Sequence, residues 1–156
     1  ILPGVGAFDI AMKNLINKNF LDAIKEHAQK NKKIIGICLG MQLLFERSFE
    51  FGEHEGLSLI EGNVLPLKKE VNHRVPHVGW NNCVSANKNY DSFEGDYYFV
   101  HSFYCKPKMD SEVILKSSHG IEFCSAIKKN NIYGVQFHPE KSHSLGLGLL
   151  KNIIYE

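Results

Sequence analysis

The segment Ile34-Ile35-Gly36-Ile37-Cys38-Leu39-Gly40 constrains the fold more than any other part of the chain. Ile34 to Ile37 reads as a short strand buried on both faces, the kind found in parallel sheets. Glycines then stand two residues either side of a cysteine. A sharp strand-to-helix turn leaves no space for Cβ atoms at those two places, so the pattern is a nucleophile elbow with Cys in place of Ser. In that geometry the thiol sits at a helix N-terminus, where the dipole and free N–H groups favour the thiolate. The Leu39 N–H would point toward an oxyanion formed at Cys38. A buried structural cysteine is the alternative reading, because Cys is among the most buried residue types. This segment alone leaves both open.

Around the elbow the periodicities predict a layered domain. Asp9 reads as the N-cap of one helix over about 10–30, with Met12, Leu15, Ile16, Phe20, Ala23, Ile24 and Ala28 on one face. Asn31-Lys32-Lys33 closes it with basic charge near the negative end of the dipole. A second helix is expected from near Gly40 to Ser48 and a last one over 143–154. Between them the texture is β, with strands expected at 57–60, 63–67, 97–103, 112–116, 122–127 and 132–137. This order gives an α/β domain with a mixed sheet. No repeat or linker divides the chain, so 1–156 is expected to form a single domain.

The composition narrows the function classes. With 44% apolar residues the 156-residue chain has enough for a core, and its net charge of +1 argues against a dedicated nucleic-acid binder. No apolar run reaches the roughly 20 residues of a bilayer span, and no signal-peptide pattern is visible at the start. Cys38, Cys83, Cys105 and Cys124 form no CxxC pair, so reduced thiols in a cytoplasmic protein are expected. No His, Cys or acidic cluster has metal-ligand spacing, and neither a metal nor a cofactor is expected.

A second motif gives the cysteine a partner. Gln136-Phe137-His138-Pro139-Glu140 follows an apolar strand, where residues two apart share a face. His138 and Glu140 would then project together, and a carboxylate beside an imidazole fixes its tautomer while the other nitrogen takes a proton from a thiol. Pro3-Gly4-Val5-Gly6 is either a plain turn or a segment whose peptide flips to present an N–H to an oxyanion. Gln42 lies one turn beyond Cys38 on the expected helix, with Glu46 and Glu50 at further four-residue steps. Either glutamate could pair with an ammonium group, an exposed helix carboxylate being the plainer reading. The aromatic segment Tyr97 to Tyr104 and the lone Trp80 fit an ordinary core equally well.

Together these motifs resemble class I glutamine amidotransferases, and within them the glutaminase subunits of imidazole glycerol phosphate synthase. The stretches that carry the resemblance are PGVGAF (3–8), GICLGMQLLFE (36–46), GLSLIEGNV (56–64), VPHVGWN (75–81), YFVHSFY (98–104) and GVQFHPEKSHSLGLGLLKN (134–152). They span almost the whole chain. The resemblance implies a three-layer, flavodoxin-like α/β fold with a mixed sheet. It also implies glutamine hydrolysis by Cys38 as nucleophile, His138 as base and acid, and Glu140 as orienting carboxylate. Leu39 and the Gly4-Val5 peptide would form the oxyanion hole, with Val5 exposing its N–H by a flip. Gly4, Gly6, Gln42, Glu50, Ser102 and Phe103 would bind glutamine. Trp80, Tyr98 and Lys141 would face a TIM-barrel cyclase that forms a heterodimer with the chain and receives ammonia through a channel.

Departures from the family pattern shape the expectation further. The Ile-Leu-Pro-Gly start enters where family members already have a strand and a helix with a DYGxGN-like motif, so the expected fold lacks both. Val78 stands where Met is usual, and Ser48-Phe49-Glu50 departs from the usual acidic pair. Relatives that deliver ammonia to an amidino-sugar synthetase are the neighbouring reading, and a catalytically silent binding subunit is the reading from another class.

Overall fold

The computed structural model describes residues 1–68 and 73–156. Its centre is strand β1 (Ile34–Ile37), which runs parallel to β10 (Ile132–Val135), while Leu2 forms a parallel bridge to Gly36. Ile34 packs with Phe8, Met12, Leu39 and Met41, whereas Ile35 packs with Tyr133, Val135, Leu149 and Ile153. Alternate residues of a strand face opposite sides, so two adjacent isoleucines anchor two separate cores. Helices α1 (Phe8–Asn17), α2 (Phe20–Gln29) and α3 (Leu39–Leu43) lie on the first side and α4 (His143–Tyr155) on the second. The expected layered α/β architecture with a mixed sheet is the one observed.

The rest of the sheet spreads from β9 (Ile121–Lys129). It pairs antiparallel with β10, with β8 (Val113–His119), and through Cys105 opposite Cys124 with β7 (Phe103–Pro107). Beyond β7 lie β4 (Ile60–Pro66), its parallel neighbour β2 (Phe45–Ser48), and the short β3 (His54–Glu55). Beyond β8 lie β5 (His77–Ser85) and β6 (Gly95–His101). Cys38, Cys83, Cys105 and Cys124 are buried free thiols. Among the described residues no helix is long and apolar enough to cross a membrane.

Several expectations are corrected. The single helix over 10–30 is two helices, broken at Asn19, which adopts φ 58°; Asn enters the left-handed region more readily than most residues. Asp9 is not the N-cap. That position is Ala7, and Asp9 sits in the first turn, paired with Lys13 at 3.0 Å. The helix expected from Gly40 to Ser48 stops at Leu43. The carbonyls of Leu43, Leu44 and Phe45 accept from the N–H groups of residues 57–60, so they are not available to a continuing helix. Of the strand expected at 57–60, only Ile60 joins the sheet.

The strand expected over 97–103 is interrupted at Ser102, where the chain leaves β6 beside β5 and enters β7 beside β4 and β9. β5 is not expected at all. Its outward residues Val78, Trp80 and Val84 are apolar, while its inward set includes His77, Asn81 and Cys83. That inversion hides the usual signal of apolar inside and polar outside.

The elbow glycines meet backbone. A Cβ at Gly40 would lie 1.7 Å from the Leu2 carbonyl oxygen, and one at Gly36 would lie 2.6 Å from the Gly40 carbonyl oxygen. Gly40→Ala is therefore expected to destabilise the fold by about 3 kcal/mol or more, since neither backbone can yield without breaking the sheet bridge. Urea unfolding checks this, and an unchanged midpoint would refute so close a crossing.

Candidate active site

Cys38 occupies the turn between β1 and α3 with φ 54° and ψ −111°, a conformation that non-glycine residues adopt only when their surroundings enforce it. Its N–H donates to the Val135 carbonyl at 2.8 Å, tying the turn to β10. The thiol donates to the Val100 carbonyl at 3.7 Å and accepts from Gln136 Nε2 at 3.8 Å. The Leu39 N–H also acts on the sulfur as a donor.

The expected thiolate is corrected. Burial pushes the Cys38 thiol up to about 11, and the nearby Glu140 charge adds to this. The Leu39 and Gln136 donors act in the opposite direction, but they do not offset the desolvation. The helix that follows has one turn and a little more, too little for its dipole to reverse the balance.

His138 and Glu140 do come together, though not by strand alternation. β10 ends at Val135, and Pro139–Lys141 form a 3₁₀ turn that folds Glu140 back. His138 Nδ1 and Glu140 Oε1 are 2.9 Å apart, so Nδ1 carries the proton toward the carboxylate and Nε2 is left for proton transfer. Strand β6 fixes the histidine's backbone. The His138 N–H donates to the Tyr98 carbonyl at 2.9 Å, and Ser142 Oγ accepts from the Tyr98 N–H at 3.0 Å while donating to the His138 carbonyl at 2.6 Å.

Cys38 and His138 line one cavity of about 300 Å³, at the small end for ligand sites and suited to a molecule of amino-acid size. Of the sequence-predicted residues, Val5, Gly6, Leu39, Gln42, Glu50, Ser102, Phe103 and Lys141 also line it. Gly4 does not, but a Cβ there would lie 3.3 Å from the Leu39 side chain, so the Pro3–Gly6 segment runs close against the elbow. Gly6 has φ +104° with open space where a Cβ would be.

Glu50 is not a helix residue as expected. It follows β2, and its carboxylate accepts from the Phe8 N–H at 2.7 Å, at the start of α1. Glu46 lies in β2 and accepts from the Gly62 N–H at 2.8 Å, outside the cavity. Trp80 and Tyr98 stand beside the cavity. Trp80 is half-exposed, stacks on His143 at 4.7 Å and meets Tyr98 edge-on at 5.9 Å. Lys141 links this cluster to the cavity mouth, its ammonium 5.7 Å from the Tyr98 ring centre.

Part of the lining has no signal in the sequence pattern. Pro76, Val100 and His101 also face the cavity, and Gln136 reaches the sulfur from beneath. His101 Nδ1 lies 2.8 Å from the Phe103 carbonyl oxygen and its Nε2 2.9 Å from His77 Nδ1. Burial lowers the pKa of both imidazoles, His77 to about 4 and His101 to about 3. The signal for them is a β5–β6 register that places His77 opposite His101.

An elbow cysteine and a histidine paired with a glutamate, meeting at one small cavity on a mixed α/β sheet, form an arrangement of the thiol-nucleophile hydrolase type. A model of the family described as glutamine amidotransferase class-I matches residues 1–156, and the chain belongs to that family. It is 46% identical to the imidazole glycerol phosphate synthase subunit HisH of Wolinella succinogenes, over 97% of this chain and 78% of that protein. It is 48% identical to imidazole glycerol phosphate synthase subunit HisH 1 of Campylobacter jejuni, over 99% of this chain and 79% of that one. A solved glutamine amidotransferase superposes with a TM-score of 0.73 at 15% identity, over 98% of this chain and 75% of that chain, which shows the shared fold.

With the thiol at about 11, alkylation of Cys38 by iodoacetamide without glutamine is expected to rise about tenfold per pH unit between pH 7 and 10. Mass spectrometry of the Cys38 peptide reads the rate, and a plateau below pH 9 would contradict the buried thiol. The histidines set a second dependence. Unfolded imidazoles take up protons near 6.5, whereas the folded His77 and His101 do so only near 4 and 3. Stability is thus full above pH 7 and falls as the pH drops from about 6.5 toward 4. The urea midpoint is expected to fall between pH 7 and 5, and to fall less in His101→Phe; equal drops would remove His101 as a cause.

Proposed function

We propose that this chain is the glutaminase subunit of a cytoplasmic imidazole glycerol phosphate synthase. It hydrolyses glutamine to glutamate and ammonia and passes the ammonia to a TIM-barrel cyclase with which it forms a heterodimer in histidine biosynthesis. The observation that carries the reading is that Cys38 of the elbow and His138, whose Nδ1 lies 2.9 Å from Glu140 Oε1, line one cavity of amino-acid size. The identities to HisH subunits support the acceptor and the partner.

In this mechanism Glu50 takes the ammonium group of glutamine, and Gly6, Gln42, Ser102 and Phe103 hold the rest of the molecule, while Gly4 keeps the Pro3–Gly6 segment close against the elbow. His138 Nε2 accepts the Cys38 proton as the sulfur attacks the carboxamide carbon. The carbonyl oxygen becomes an oxyanion held by the Leu39 N–H and by the Val5 N–H, which a flip of the Gly4–Val5 peptide presents, Gly4 tolerating the change of conformation. The C–N bond breaks, His138 returns the proton to the nitrogen, and ammonia leaves a glutamyl thioester on Cys38. His138 then deprotonates a water that attacks the thioester. The C–S bond breaks, glutamate leaves, and the thiol regains its proton.

The buried resting thiol fits an enzyme that is quiet until glutamine and the partner are in place. The half-exposed Trp80, Tyr98 and the Lys141 ammonium form the patch that faces the cyclase.

Cys38→Ala is expected to lower ammonia release from glutamine by at least about 10³-fold. Release is measured with and without the cyclase subunit and its ligand; retained turnover in the variant would sink the assignment. An equal rate with and without the cyclase would remove the partner from it.

A further inference from the structure

Beneath the cavity lies a line of polar side chains, mostly buried, of which the reaction above uses only Gln42. Its direction of donation can be worked out from its ends. The Phe103 carbonyl only accepts, so His101 Nδ1 bears the hydrogen that it donates across 2.8 Å. A neutral imidazole then has a bare Nε2. That atom accepts from His77 Nδ1–H at 2.9 Å, which leaves His77 Nε2 bare to accept from Asn81 Nδ2 at 3.1 Å. The Asn81 amide is fixed at both ends, its oxygen accepting from the Asn82 N–H at 2.9 Å and its nitrogen donating to the Ser118 carbonyl at 2.8 Å.

The line continues past Phe103. Gln42 Nε2 donates to the same Phe103 carbonyl at 3.1 Å and to Gln136 Oε1 at 3.2 Å. That second bond assigns the Gln136 amide: its oxygen faces Gln42, so its nitrogen faces the Cys38 sulfur at 3.8 Å. Gln136 is completely buried and His101 nearly so. Burying an amide or an imidazole is costly unless every polar atom finds a partner. Here the partners form one chain, with strand β5 at one end and the sulfur at the other. A donor aimed at sulfur matters more once the sulfur carries charge, because hydrogen bonds to ionised groups are the stronger ones.

We propose that His101 and Gln136 are positioning residues for the glutaminase reaction. The line Asn81–His77–His101–Phe103–Gln42–Gln136 holds the Phe103 carbonyl at the substrate and an N–H on the Cys38 sulfur in one arrangement set from β5. This rests on Cys38 being the glutaminase nucleophile. In this arrangement Gln136 steadies the sulfur as it loses its proton, and His101 orients the strand end that contacts glutamine.

The test compares Gln136→Met, His101→Phe and the double variant in the complex with the cyclase. The readouts are kcat and KM for glutamine, and the rate of Cys38 alkylation by iodoacetamide at pH 8. Gln136→Met keeps the size and removes the donor. It is expected to slow both alkylation and kcat about tenfold, the worth of one hydrogen bond to a charged group, with KM within twofold of the parent. His101→Phe is expected to raise KM as well as lower kcat. The double variant is expected to fall short of the product of the two single losses, as coupled sites do.

Alkylation and kinetics within twofold of the parent in folded single variants would overturn the proposal, as would losses that simply multiply. A change in urea midpoint alone would reduce the line to a structural role and count against it. If Gln136→Met does not fold, the KM-against-kcat split in His101→Phe decides between the same two outcomes. Glutamine turnover surviving in Cys38→Ala would mark failure of the functional reading instead, and the alkylation rate would still report on the contact between Gln136 and the sulfur.

Discussion

The Leu2 carbonyl passes so close over Gly40 that no side chain fits between them, and the Gly40 carbonyl lies tight against Gly36. Leu2 also donates to the Ile35 carbonyl at 2.7 Å and accepts from the Ile37 N–H at 3.0 Å, so the chain start is stitched to β1 where α3 departs. This crossing forces Cys38 into its left-handed turn and sets Pro3–Gly6 against Leu39. It also fixes where α1 begins, and there the Phe8 N–H meets Glu50. The proposed nucleophile, oxyanion peptide and ammonium anchor are thus positioned around one backbone contact.

The same compactness sets the electrostatics. Cys38 is buried at the cavity wall, and burial penalises its ionised form more than the local donors favour it. Strand β6 shapes the other half of the site. Its Tyr98 backbone holds the His138 segment, its Val100 carbonyl accepts from the thiol, and His101 at its end joins the buried line to Phe103.

What was legible in the sequence was local. The elbow shows as two glycines about a cysteine, and His138 with Glu140 shows as a pair two residues apart, because in both cases the geometry is decided within a few residues. The buried strand β1 and the helix α4 are legible for the same reason. The end of α3 was hidden because residues 57–60 take its last carbonyls from far along the chain. Glu50 was legible as a carboxylate of the site but not as a loop residue, since its position depends on β2 pairing with β4. The line through His77, His101 and Gln136 depends on strand register and on amide orientation, neither of which a one-dimensional pattern records. β5 escaped because its apolar side chains point outward.

That inversion in β5 bears on which sequence changes the ribbon tolerates. Val78 with Val100 and Trp80 with Tyr98 are opposite pairs, and His77 with His101 is the next pair along. One side of this two-stranded ribbon carries the exposed aromatic patch and the other carries the imidazoles. Inserting or deleting a single residue in either strand, unless a bulge takes it up, would exchange the two sides and disrupt both at once. A substitution on the outer surface leaves the imidazole side in place, whereas an unabsorbed one-residue slip moves both sides together.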